Sequence, residues 1–272
     1  MNLISISQRI KMFTTIYSWI ANQCDYFMEY LIHKPVPFPI EKINQINSSR
    51  SRLFDVYTDN NDKISGIEIY AKNSDGPHSN KYIIYSHGNK GNITTNFDYL
   101  LKLSDELNIN IVTYDYIGYG LSEKKQPTEQ GCYDSLKQII LYVKNNKRVN
   151  ADDIYLVGRS LGTGVVIDYV SKNKWNTPII LISPYKNIIS TYVNIYPFPN
   201  KFNSIDKIKN IKCPIKIFHG EDDNIVDISH ASELYQHVRN KKFRPTWFRG
   251  TGHADILSKI TGNNYEEILE KN

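Results

Sequence analysis

Residues 158–162 read Gly-Arg-Ser-Leu-Gly, directly after the apolar run Ile154-Tyr155-Leu156-Val157 and directly before Thr163-Gly164-Val165-Val166-Ile167. The first run predicts a buried strand and the second a helix. A G-x-S-x-G between strand and helix is a nucleophile elbow, a turn so sharp that the serine Oγ stands clear at the end of the sheet. Glycine is needed at 158 and 162 because a Cβ there would collide with the neighbouring strand or with the start of the helix. Ser160 is therefore the candidate nucleophile.

A serine hydroxyl attacks poorly until a base takes its proton, and the base must itself be held by an acid. Downstream of Ser160 lie an acidic loop, Glu221-Asp222-Asp223, and then His253 between Gly252 and Ala254. Of the seven histidines, His253 suits the base, because Gly250 and Gly252 allow a loop to carry its imidazole over the sheet end. His33 and His78 read as linker and exposed-turn residues, and His230 and His237 as surface residues of one helix. His87 reads as the orienter of a loop. Asp222 and Asp223 are adjacent, so backbone direction alone lets either face the histidine.

The elements that must position these groups alternate in kind. Leu53–Tyr57 and Ile64–Ala71 predict antiparallel strands joined at residues 59–62. Tyr82–Ser86, Ile111–Tyr114, Ile179–Ile182, Ile215–Phe218 and Thr246–Phe248 predict further short strands. Helical spacing runs over Thr94–Leu107, residues 132–143 and Ile228–Val238, the last capped by Asp227 or Ser229. Strand–helix alternation predicts one mostly parallel, twisted sheet with helices on both faces. In such sheets functional groups gather at the carboxyl ends of the strands, and every motif above ends a strand.

The set His87-Gly88-Asn89, Asp115-x-x-Gly118-x-Gly120, Gly158 through Gly164, Ser183-Pro184-Tyr185, His219-Gly220-x-x-Asp223 and Gly252-His253 resembles the α/β-hydrolase superfamily over about residues 50–258. Within it the chain looks most like the eukaryotic protein depalmitoylases and the monoacylglycerol/lysophospholipid lipases. The order serine, acid, histidine matches. The resemblance implies the α/β-hydrolase fold, with Asp223 as the acid beside Ser160 and His253. It also implies an oxyanion hole in which the N–H of Asn89 joins the N–H of Leu161, the latter at the positive end of its helix. Asp115, Gly118 and Gly120 brace the Asn89 loop. The reaction implied is cleavage of carboxylic esters or thioesters through an acyl-enzyme, on acyl lipids or S-acylated proteins. The alternatives are a catalytically silent member used for binding, or a short-chain esterase. The depalmitoylases carry an acylated cysteine cluster near the N-terminus, whereas here Cys24 stands alone.

The 272 residues carry a net charge of +5 without a basic block, which gives no support for nucleic-acid binding. Neither a metal-ligand cluster nor a helix-opening G-x-G-x-x-G is present, so no metal or cofactor is expected. Cys24, Cys132 and Cys213 suggest no disulfide framework and suit a reducing, intracellular compartment. Residues 1–50 divide off as an apolar segment and a Pro-rich linker, Pro35-Val36-Pro37-Phe38-Pro39, before a domain over 51–272. Met12 to Cys24 lacks charge but is too short and polar to span a membrane. It reads either as a helix packed on the domain or as a membrane-surface helix, so that residues 1–34 offer peripheral membrane contact. A short cap is expected at about 185–212, with a helical stretch at Ile205–Ile211. Too small to enclose a deep pocket, it leaves an open groove edged by Tyr185, Ile188, Tyr192 and Tyr196.

Overall fold

The computed structural model describes Thr15 and residues 23–191 and 200–269. Tyr192, Tyr196 and most of the 12–24 segment lie outside the described residues. An eight-stranded sheet runs in the order β1-β2-β4-β3-β5-β6-β7-β8. Its strands are β1 Ser51–Tyr57, β2 Lys63–Ile69, β3 Tyr82–Ser86, β4 Asn110–Tyr114, β5 Ile154–Arg159, β6 Ile179–Ile182, β7 Ile215–Gly220 and β8 Thr246–Phe248. β1 and β2 form an antiparallel edge and β2 joins β4 antiparallel. From β4 to β8 all pairings are parallel. This is the α/β-hydrolase fold.

The sheet is buried on both faces because its parallel strands are apolar at consecutive positions and send alternate side chains each way. Ile84, Leu156, Leu181 and Ile217 enter one core, with Leu136 and Ile140 of α4 (Glu129–Asn146) and Val165 and Val166 of α5 (Leu161–Lys172). Ile83, Val157, Ile180 and Phe218 enter the other, with Leu100 and Leu103 of α3 (Phe97–Leu107) and Tyr265 and Ile268 of α9 (Gly262–Leu269). α6 (Ser204–Ile208) and α7 (Ile228–His237) complete the first face, and α8 (Ile256–Lys259) the second.

The segment before β1 contains a helix at residues 23–32 (α1) and a short helix Ile43–Ile46 (α2). Met28 and Ile32 are buried in the first core and Ile46 in the second. On the outer side of α1, Tyr26, Phe27, Tyr30 and Leu31 are exposed by 60%, 56%, 59% and 40%. One side of this helix is thus packed on the body and the other offers apolar rings to the outside.

Several boundaries and burials differ from the sequence reading. The helix expected from Thr94 starts at Phe97. Asn92 Oδ1 accepts the Thr94 N–H at 2.9 Å and Asn92 O the Thr95 N–H at 3.0 Å, so residues 92–95 close a polar turn instead. The stretch at Ile205–Ile211 is helical only over Ser204–Ile208. Asp227, not Ser229, caps α7, its Oδ1 accepting the Ser229 N–H at 2.8 Å. His33, His78 and His230, read as linker or surface residues, are all buried. Each has a partner from a distant segment: Tyr119 for His33, Glu266 for His78 and the Lys186 N–H for His230. Spacing along one helix or turn cannot reveal a partner contributed from elsewhere.

Candidate active site

Ser160 follows the last residue of β5 and caps α5, with φ 51° and ψ −118°. A non-glycine residue at positive φ is strained, and such strain persists where the surroundings fix it. The surroundings here are backbone. Ser160 N–H donates to Ile182 O at 2.9 Å and Thr163 N–H to Ser160 O at 2.9 Å. A Cβ on Gly158 would overlap the Gly162 carbonyl, and one on Gly162 would overlap the Ser86 carbonyl. The two glycines let helix α5 start against β3 and β5, and the serine is forced outward as a result.

The structure brings Ser160, His253 and Asp223 into one hydrogen-bonded row. Ser160 Oγ lies 3.0 Å from His253 Nε2, and His253 Nδ1 lies 2.7 Å from Asp223 Oδ2. Asp223 stands three residues after β7, in a turn closed by its own carboxylate: Oδ1 accepts the N–H groups of Ile225 at 3.0 Å and Val226 at 2.8 Å. Burial pushes its pKa up, but the hydrogen bond and charge of His253 and the two N–H donors outweigh this and hold it below the usual carboxylate value. Asp223 is therefore an ionised, buried acceptor. Asp222 is exposed, and its backbone N–H is occupied by Thr251 O at 3.1 Å. Of the two adjacent acids only Asp223 reaches the imidazole.

His253 arrives on the loop after β8. Gly250, at φ 63°, turns that loop, while Arg159 Nη2 donates to the His253 carbonyl at 2.9 Å. Gly220 is needed where the loops after β7 and β8 meet, since a Cβ there would overlap Thr251 O. His219, one residue earlier, is buried. Its Nε2 donates to Val226 O at 2.8 Å and lies 3.4 Å from Asp223 Oδ2, the oxygen that also faces His253. Burial lowers its pKa, which favours the neutral ring there. In the sequence His219 and Arg159 stand only as members of their motifs; neither position carries a local signal of these roles.

On the other side of Ser160 the loop after β3 comes close: a Cβ on Gly88 would sit 3.4 Å from the Ser160 Cβ. Neither Asn89 N–H nor Leu161 N–H donates to any acceptor among the described residues. His87, below them, donates from Nδ1 to Gly88 O at 2.8 Å, and burial lowers its pKa to about 4. Asp115 braces the loop as expected, accepting Ile93 N–H and Leu121 N–H at 2.8 Å each. Its full burial pushes its pKa up to about 6. Gly118 and Gly120, at φ 87° and 45°, wrap the chain around that carboxylate.

These groups open on a groove of about 470 Å³, lined also by the apolar Leu161, Tyr185, Ile188, Ile225 and Val226 and by Lys90. Tyr185 is fixed by donating to Leu161 O at 3.1 Å. A larger hollow, about 580 Å³, lies elsewhere between α1 and α4 and is lined by ion-paired Glu29, Asp168, Lys201 and Lys207. It holds none of the Ser160 row. Among the described residues, no three His, Cys, Asp or Glu side chains are grouped so as to hold a metal ion.

Sheet order, elbow and groove define a hydrolase of the α/β-hydrolase superfamily. Residues 114–267 match the sequence profile of the dienelactone hydrolase family, and the chain belongs to that family. It is 42% identical over 262 residues to L404 of Acanthamoeba polyphaga mimivirus, named as an α/β hydrolase, with 95% of this chain and 98% of that one covered. It is 30% identical over 200 residues to human alpha/beta hydrolase domain-containing protein 17B, covering 71% of this chain and 67% of the relative. The mouse 17C protein is 31% identical, with 66% of this chain and 56% of that protein covered, so the chain spans little more than half of this relative. An esterase of Pyrococcus furiosus, Pf2001, shares the fold at TM-score 0.67 and 18% identity, over 87% of this chain and 99% of that one.

Proposed function

We propose that this chain is a serine hydrolase that cleaves carboxylic ester or thioester bonds through an acyl-enzyme, on acyl lipids or S-acylated proteins. The observation that carries the reading is the row Ser160–His253–Asp223 at 3.0 and 2.7 Å, ending on a carboxylate that its hydrogen bonds and the charge of His253 hold ionised against burial. In the first step Ser160 Oγ attacks the carbonyl carbon while His253 Nε2 takes the hydroxyl proton. Asp223 holds Nδ1–H and stabilises the imidazolium that forms. Negative charge grows on the carbonyl oxygen, where the Asn89 and Leu161 N–H groups have no competing acceptor among the described residues, and the N-terminus of α5 adds its positive end. His253 then passes the proton to the leaving oxygen or sulfur as that bond breaks. Water, deprotonated by the same imidazole, attacks the acyl carbon and restores Ser160.

The apolar lining from Tyr185 and Ile188 to Val226 supports a hydrocarbon acyl chain, each buried CH₂ of which contributes up to about 0.8 kcal/mol. The exposed rings of Tyr26, Phe27 and Tyr30 support a peripheral contact with a lipid surface, since aromatic side chains suit the bilayer interface. No helix of the described residues is long and apolar enough to cross a membrane. The unpaired cysteines suit a reducing, intracellular setting, at the cytoplasmic side of a membrane or free of it.

The test is fluorophosphonate labelling of the intact chain, followed by a series of p-nitrophenyl esters and matched thioesters from acetyl to palmitoyl. Labelling, with kcat/KM rising toward medium or long chains, supports the reading. A preference for acetyl over octanoyl would leave a short-chain esterase, and an unlabelled, inactive chain would leave a binding protein.

A further inference from the structure

Asn89 is held by both polar atoms of its side chain. Its Oδ1 accepts the Lys34 N–H at 2.8 Å and the Tyr119 hydroxyl at 2.9 Å, and its Nδ2 donates to Ile32 O. Two of these partners come from the segment that ends α1. His33 closes the same contact, with Nδ1 3.0 Å from the Tyr119 oxygen and Nε2 3.0 Å from Glu29 Oε2. The direction of these bonds follows from the donors available. A carboxamide oxygen only accepts, so Tyr119 gives its hydrogen to Asn89, and the tyrosine oxygen takes one from His33 Nδ1. Burial pushes the Glu29 carboxyl up, but bonds from His33, Lys201 and the Glu129 N–H outweigh it and hold it below its ordinary value. Glu29 can then only accept, so His33 Nε2 faces it as a donor. The row therefore runs from Asn89 through Tyr119 and His33 to Glu29, with Tyr119 as the donor to Asn89.

His33 and Glu29 are 4% and 5% exposed. Placing such groups in an interior costs stability unless each is satisfied, and the apolar packing of α1 on the body is made by Met28 and Ile32. The row ends on the residue whose backbone N–H has no acceptor among the described residues and which lines the same groove as Ser160. A donor to a developing oxyanion works only if it is fixed in place beforehand, and displacements on the order of 1 Å cost about a hundredfold in rate.

We propose that His33, acting through Tyr119, is a positioning residue for the Asn89 N–H, so that residues 29–34 belong to the oxyanion apparatus. The proposal rests on the reading of Ser160 as nucleophile and of the Asn89 N–H as an oxyanion donor.

The test uses full-length Tyr119→Phe, His33→Ala and His33→Gln, with active sites titrated by fluorophosphonate so that kcat is expressed per competent site. An alkyl trifluoromethyl ketone, which forms a tetrahedral oxyanion on the serine, reports the hole directly. Tyr119→Phe and His33→Ala should each lower kcat per site on p-nitrophenyl butyrate about tenfold and raise the ketone Ki by a similar factor, with KM changed less than about twofold. His33→Gln keeps an N–H for Tyr119 and should recover most of the loss. If kcat per site and Ki stay within about twofold of wild type while the thermal midpoint falls, the row is only structural and the proposal is overturned. Should His33→Ala fail to fold, Tyr119→Phe decides by itself. A wild-type chain that takes up no fluorophosphonate overturns the nucleophile reading, and the positioning role with it.

Discussion

The two sides of Ser160 are held in different ways. On the acid–base side, Asp223 and His253 sit on loops that leave adjacent parallel strands, β7 and β8. They are tied by short-range bonds such as Asp223 N–H to Gly220 O and Ile225 N–H to the Asp223 carboxylate. On the other side, the Asn89 loop is held by the Ile32 carbonyl, the Lys34 N–H and the Tyr119 hydroxyl, from segments distant in the chain. The first side is a property of neighbouring strands, so local motifs encode it. The second is assembled only once the N-terminal helix has docked. The comparison implies that damage to the first side removes the chemistry, whereas damage to the second weakens transition-state binding and leaves the nucleophile competent.

The largest effect should come from Ser160→Ala, which removes the attacking atom. Ester turnover should fall on the order of a millionfold with the thermal midpoint unchanged, as measured by steady-state kinetics and differential scanning calorimetry. Asp223→Asn should lower kcat about ten-thousandfold, because the imidazole loses the acceptor that fixes its tautomer, and Asp222→Asn should cost less than about threefold. The reverse ranking in a paired assay would move the acid to Asp222. Gly162→Ala should act through the fold. Its Cβ overlaps Ser86 O, so α5 must shift, at about 1–3 kcal/mol in denaturant unfolding together with a loss of activity.

Two smaller effects sharpen the other side. Removing residues 1–22 should weaken binding to anionic liposomes while sparing hydrolysis of p-nitrophenyl butyrate, whereas removal through residue 34 should also lower kcat, since it takes away the Asn89 contacts. Equal loss of soluble-ester activity in both truncations would contradict the division. The smallest effect concerns His87. Its folded pKa of about 4 lies below the ordinary 6.5, so the unfolded chain binds the proton first. The stability it contributes is complete above about 6.5 and is lost as pH falls toward about 4. His87→Gln should flatten the fall of the thermal midpoint across that window.

Much of this was legible in the sequence. The strands and a mostly parallel sheet covered on both faces follow from apolar runs whose alternate residues face opposite ways, and the elbow follows from Gly158 and Gly162. The acid was ambiguous from spacing alone, because Asp222 and Asp223 differ only in which one the turn after β7 buries; the family resemblance pointed to Asp223, and the turn does bury it. The buried histidines were not legible. His33, His78 and His230 sit in polar or helical stretches that look solvated, and each is buried by a partner distant in sequence. A side chain satisfied at long range leaves no mark on its neighbours. For the same reason Tyr119 read only as part of a glycine turn.

The central claim, that Ser160 is an activated nucleophile, is tested most directly by peptide mapping of the intact chain after reaction with a fluorophosphonate. The expected result is one phosphonate per chain, on the peptide containing Ser160, with labelling lost in Ser160→Ala and slowed by orders of magnitude in His253→Ala. Stoichiometric labelling of another residue, or labelling at the wild-type rate in Ser160→Ala, would contradict it.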